Sequence, residues 1–128
     1  MRIHHIAIWY RDLESMKQFY CRYFGFGHGE RYSSKTHKFT SYFLHPTGDE
    51  TCMVELMYDP DIILSHSETV TGIAHIALSA GSEENVRLLT ETLRKDGFIV
   101  ASEPRRTGDG YYESQVLDPE GNRIEITV

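Results

Sequence analysis

The chain has 128 residues, of which 40% are hydrophobic and 25% charged, and a formal net charge of -6. That length suits one domain over residues 1–128, long enough to bury roughly two-thirds of its unfolded surface without covalent staples. The acidic balance argues against a protein that wraps nucleic acid, and no stretch approaches the roughly 20 apolar residues that a membrane helix needs, so a small-molecule partner is expected.

From the start, "MRIHHIAIWY" has no basic segment followed by an apolar run, and Cys21 and Cys52 form no CxxC pair, so a reduced, cytoplasmic protein is expected. "HHIAIWY" opens as a strand. Asp12 can cap a helix over about 13–24, with Leu13, Met16, Phe19 or Tyr20, and Tyr23 on one face and Gly25 just past the end. "ERYSS", "KFTSYFL" and "CMVELMY" read as strands, the last two joined through a turn at "LHPTG". A linker follows over about 61–71. "AHIALS" is again a strand, and Ser82 caps a helix striped by Val86, Leu89 and Leu93 and stopped by Gly97. "FIVASE", "YYESQVL" and "NRIEITV" complete the chain, with a turn at "LDPEG".

These elements repeat. His75 follows His5 by 75 − 5 = 70 residues, and Glu125 follows Glu55 by 125 − 55 = 70. The chain thus writes β-α-β-β-β twice, as module 1 over about 1–60 and module 2 over about 72–128. The expected class is α+β, a curved mixed-sheet cup with helices on its outer face.

Alternation along a strand then places the ionisable residues. His5, Ala7 and Trp9 share one face while Ile6 and Ile8 share the other, and Met53, Glu55 and Met57 oppose Val54 and Leu56. His75 and Glu125 have the same parity in module 2, so two imidazoles and two carboxylates should converge in the cup. A lone His or Glu on a strand is ordinarily a satisfied or solvated side chain. Four in register would be costly to bury unpartnered, and one divalent cation (Ni, Zn, Co, Mn or Fe) would relieve that cost.

Carried by "IHHIAIWYRDLESMKQFY", "CMVELMY", "AHIALS" and "VLDPEGNRIEI", the chain resembles the vicinal oxygen chelate superfamily, and most closely its short bacterial glyoxalase I branch. The resemblance implies that His5, Glu55, His75 and Glu125 ligate one metal. It implies a lyase or isomerase acting on an α-hydroxycarbonyl or thiohemiacetal through an enediolate, with Glu125 as base and Glu55 as the alternative. It also implies a homodimer in which His5 and Glu55 of one chain meet His75 and Glu125 of the other, although pairing within one chain is equally compatible. The same resemblance leaves an acyl-CoA epimerase-like enzyme, a dioxygenase-like enzyme and a metal-free drug-sequestering protein as alternatives. Fosfomycin-modifying thiol transferases fit less well, because Ala7 stands where they place a threonine.

Departures fall on the thiol side. Short glyoxalase I sequences place an Arg three positions before the Asp that starts the first helix, where this chain has Trp9, and Leu-x-Tyr-Asn after the first Glu, where it has Leu56-Met57-Tyr58-Asp59. A guanidinium clamp for a glutathione carboxylate is therefore missing, and glutathione as co-substrate is left open. Trp9, Met53 and Met57 suggest an apolar lining for a less anionic substrate, plain core packing being the equal alternative for Trp9. Arg105 and Arg106, before the Gly108-Asp109-Gly110 turn, either hold an anionic group at the cleft mouth or belong to a solvated hairpin. The remaining histidines match no repeat position, and His4 has the wrong parity for the cup.

Overall fold

The computed structural model of the chain describes residues 3–47, 52–63, 72–108 and 110–128. They fall into two units, Met1–His66 and Ser67–Val128.

In the first unit β1 (His5–Trp9) leads into α1 (Leu13–Phe24), followed by β2 (Gly27–His28), β3 (Tyr32–Ser33), β4 (Thr40–His45) and β5 (Met53–Tyr58). The helix starts where Asp12 accepts a hydrogen bond from the Ser15 amide at 3.0 Å. It ends at Gly25, whose φ of 67° is the left-handed conformation that glycine adopts at least cost. Leu13, Met16, Phe19 and Tyr20 form its buried stripe, and α1 packs on β4 and β5, whose Tyr42, Leu44, Val54 and Leu56 are buried.

The sheet runs β1-β5-β4-β2, with β3 also against β4. β1 and β5 are parallel and the other pairs antiparallel. The strand expected at "ERYSS" forms only as Tyr32–Ser33, and a second short piece pairs with β4 at Gly27–His28. Gly27 explains that piece, because the His45 ring lies where any side chain at 27 would begin. The "LHPTG" turn runs beyond the described residues at position 48, as does most of the linker, at 64–71.

The second unit repeats the plan with β6 (Ile76–Ser79), α2 (Glu83–Lys95), β7 (Val100–Arg106), β8 (Tyr112–Leu117) and β9 (Arg123–Thr127). Its sheet order is β6-β9-β8-β7, again with the parallel pair first. Ser82 caps α2 by accepting from the Asn85 amide at 3.1 Å. The buried stripe is Val86, Thr90 and Leu93, with Leu89 only half-buried. Thr90 takes the inner position because its hydroxyl is satisfied there: it donates to the Val86 carbonyl at 2.6 Å and accepts from the Ser114 hydroxyl at 2.6 Å. Asp118 holds the "LDPEG" turn, its carboxylate accepting from the Glu120 and Asn122 amides at 3.0 and 2.9 Å, and so delivers the chain into β9.

Each unit is therefore one helix on one face of a mixed, open sheet, an α+β arrangement made twice. Among the described residues no helix is long and apolar enough to cross a membrane.

Candidate functional site

The first module's two ligand candidates lie together. Parallel pairing sets Ala7 opposite Glu55, and His5, two residues upstream on the same face, brings its Nε2 to 3.7 Å from the Glu55 Oε2. Phe43 lies opposite Glu55 on β4, and its ring meets the His5 ring edge-on with centroids 5.3 Å apart. The second module repeats the geometry: Ala77 is opposite Glu125, and the His75 Nε2 lies 3.5 Å from the Glu125 Oε2. Gln115 takes the place of Phe43.

The exposures match as closely as the distances. The His5 and His75 side chains are 38% and 40% exposed, and those of Glu55 and Glu125 are 12% and 13%. Each carboxylate is thus nearly withdrawn from water, and the imidazole beside it stands at or beyond the limit of hydrogen-bonding range. Two donors held about 2.1 Å from a common ion and about 110–120° apart lie roughly 3.4–3.6 Å from one another. The observed separations and the imidazole–carboxylate chemistry of each pair fit a divalent transition metal. Among the described residues the donors come as these two pairs, and no group of three or more His, Cys, Asp or Glu side chains gathers.

One contributor carries no sequence signal beyond adjacency. The His4 Nδ1 lies 3.0 Å from the His5 Nδ1. With the His5 Nδ1–H donated to His4, the Nε2 lone pair is left facing Glu55, which is the tautomer a ligand requires. His4 stands just before β1, and through this contact its ring orients that of His5.

The other candidates divide. Trp9 pairs with Met57 and His5 with Met53, so Trp9, Met53 and Met57 lie on the face of the first His–Glu pair. The two methionines are half-buried, and Trp9 is 51% exposed, which excludes plain core packing for it. Trp9 also walls a cavity of about 490 Å³ together with Asp59, Asp61, Ile62 and Ile63.

Arg105 pairs with Glu113, on the face of Glu125, and its guanidinium is 3.6 Å from the Glu113 carboxylate. Arg106 does not join it. Consecutive strand residues face opposite ways, and Arg106 turns to the helix side, where it pairs with Glu83, donates to the Gly110 carbonyl at 2.9 Å and lies over the Tyr112 ring. An anion clamp made of both arginines is thus not formed. Asp109 of the Gly-rich turn lies outside the described residues.

Two like α+β modules, each offering a His–Glu pair from its parallel strands, define a duplicated βαβββ protein. The chain belongs to the Glyoxalase/Bleomycin resistance protein/Dioxygenase superfamily, whose profile matches residues 2–126. No curated protein matches its sequence. Among solved structures it is similar to glyoxalase I from Zea mays, at 24% identity and a TM-score of 0.79 over 98% of this chain. It spans 44% of the length of that maize chain. The trypanothione-dependent glyoxalase I of Leishmania major is 25% identical with a TM-score of 0.76, over 99% of this chain and 86% of that one. A glyoxylase/bleomycin resistance protein/dioxygenase domain from Frankia sp. has a TM-score of 0.83 at 17% identity, covering 100% and 97% of the two chains. The maize and Frankia likenesses show the fold alone.

Proposed function

We propose that the protein is a metal-dependent enzyme of the glyoxalase I type, isomerising a small α-hydroxycarbonyl adduct of a thiol. His5, Glu55, His75 and Glu125 hold one divalent cation, for which nickel, zinc, cobalt, manganese and iron(II) all suit the donors. When bound, the metal supplies Lewis-acid stabilisation of the oxyanion that develops as the carbon proton is lost.

The chain's own part is proton transfer and orientation. Glu125 accepts the proton from the carbon bearing the hydroxyl and returns it to the neighbouring carbon, acting as base and then as acid. Glu55 is the alternative base, and Phe43 against His5 fixes that imidazole. The assignment of Glu125 as base follows the family's second-module glutamate. The lining residues Trp9, Met53 and Met57 take the apolar part of the substrate.

The observation that carries this reading is the duplicated His–Glu pair, twice at 3.5–3.7 Å with the carboxylate nearly buried. It is supported by membership of the superfamily and by likeness to the glyoxalase I structure of Leishmania major. The test is metal content after reconstitution, followed by turnover of a methylglyoxal–glutathione hemithioacetal. One metal per site is expected, with Glu125→Gln lowering kcat by about 10²–10⁴-fold. Metal without isomerase activity on this or other thiol adducts would remove the glyoxalase reading. No metal, with His5→Ala changing nothing, would remove the enzyme reading altogether.

A further inference from the structure

The cavity beside Trp9 joins an aromatic ring to carboxylates. It opens where the parallel strands β1 and β5 end, on the face that carries His5 and Glu55. One wall is the indole of Trp9, the only tryptophan of the chain. Ile62 and Ile63 supply apolar surface, and two carboxylates, Asp59 and Asp61, also line it.

The two acids are not equivalent. Asp61 is neutralised by Lys38, whose Nζ lies 3.0 Å from its Oδ2. Asp59 accepts the Asp61 amide at 2.8 Å, and its carbonyl accepts the Ile62 amide at 3.1 Å, so a turn fixes its side chain. No cation among the described residues pairs with it. Among the described residues the cavity therefore keeps about one uncompensated negative charge next to an open aromatic face. Along the same cross-strand row, Trp9–Met57–Ser41, the Ser41 hydroxyl is fully buried and has no hydrogen-bond partner among the described residues.

An aromatic face attracts a cation through its quadrupole, a carboxylate attracts it through charge, and the isoleucines favour an attached hydrocarbon. An anionic group meets repulsion from Asp59, and a neutral one gains only the apolar contact. We infer that this cavity binds the ammonium-bearing end of a small organic cation, with Asp59 as counter-ion and Trp9 as the stacking wall. Placed on the face of the first His–Glu pair, it assigns the substrate a basic amine on an aliphatic arm. That placement rests on the function proposed above; binding at the cavity does not.

The single tryptophan gives a direct readout on metal-stripped protein, which separates this inference from the metal chemistry. Trp9 fluorescence is titrated at fixed ionic strength with hexylammonium, hexan-1-ol and hexanoate, three probes of one chain length. Hexylammonium is expected to saturate at a concentration about tenfold lower than hexan-1-ol, and hexanoate to bind more weakly than either. Cation–π and exposed ion-pair effects are each modest, and together they reach about that factor.

Asp59→Asn keeps an oxygen to accept the Asp61 amide, so the turn survives while the charge is lost. It should bring hexylammonium and hexan-1-ol within about twofold of each other. Asp59→Glu, which retains the charge, should restore most of the preference and serves as the check should Asp59→Asn fold poorly. Equal binding of all three probes, an undiminished preference in Asp59→Asn, or no saturable change in Trp9 emission would overturn the inference. Loss of metal binding or of isomerase activity, with the ammonium preference intact, would overturn the proposed function and leave the cavity assignment standing.

Discussion

Replacing His4 by Ala tests whether His5, the first of the proposed ligands, is held by its neighbour. The change removes the 3.0 Å contact between the two Nδ1 atoms and leaves the backbone intact, including the hydrogen bond from the Met53 amide to the His4 carbonyl. Groups that orient a metal-bound imidazole in this way are worth about 10–100-fold in metal affinity. Both rings are exposed to solvent, so water can take over the released Nδ1–H, and the lower end applies. The expected loss is about tenfold, or roughly 1.4 kcal/mol. Chelator competition with zinc measures it directly, and the thermal midpoint of the metal-free protein should stay where it is. His4→Asn offers an acceptor oxygen at a similar place and should recover most of the affinity. An affinity unchanged within twofold in His4→Ala, or an equal fall in the stability of the metal-free protein, would refute the reasoning.

Three further outcomes follow from the same structure. Arg106→Gln should leave turnover within twofold, because the guanidinium is engaged with Glu83 on the helix side, and should cost at most about 1 kcal/mol in urea unfolding; a tenfold fall in kcat/KM would contradict this. Thr90→Val leaves the Ser114 hydroxyl buried without its partner and should destabilise by about 1–3 kcal/mol in denaturant titration, with Ser114→Ala on top recovering part of the loss. Hydrogen bonds from Lys17 and Tyr42 hold the Glu14 carboxyl below its ordinary range. Its contribution to stability is therefore present above that range and lost as the pH falls through the lowered value, so Glu14→Gln should flatten the acid limb of the stability profile without moving the limb near neutrality.

Much of this architecture was legible because it was written twice. The 70-residue spacing of His5 to His75 and of Glu55 to Glu125 marked equivalent strands, and alternation put each His with its Glu on the face away from the helix. Asp12, Gly25 and Ser82 sit where capping chemistry requires, and both helices begin and end accordingly. What escaped depends on partners distant in sequence. Thr90 looks too polar for a core stripe until Ser114, 24 residues on, is seen to satisfy it. His4 has the wrong parity for the site, and its role lies in side-chain geometry that alternation does not encode. Arg105 and Arg106 looked like a pair in sequence, but alternation sends one to each face and register shifts in β7 determine which goes where. Trp9 shares its cavity with the turn at 59–62, whose charges become meaningful only once Lys38 is seen to cancel one of them.

The central claim is that the two His–Glu pairs are metal ligands, and X-ray absorption of the zinc-loaded protein tests it most directly. The expected spectrum has nitrogen and oxygen neighbours at about 2.0–2.2 Å with two imidazoles per metal, falling to one in His75→Ala. Sulfur scattering at about 2.3 Å, from Cys21 or Cys52, or a metal with no imidazole neighbour, would contradict it.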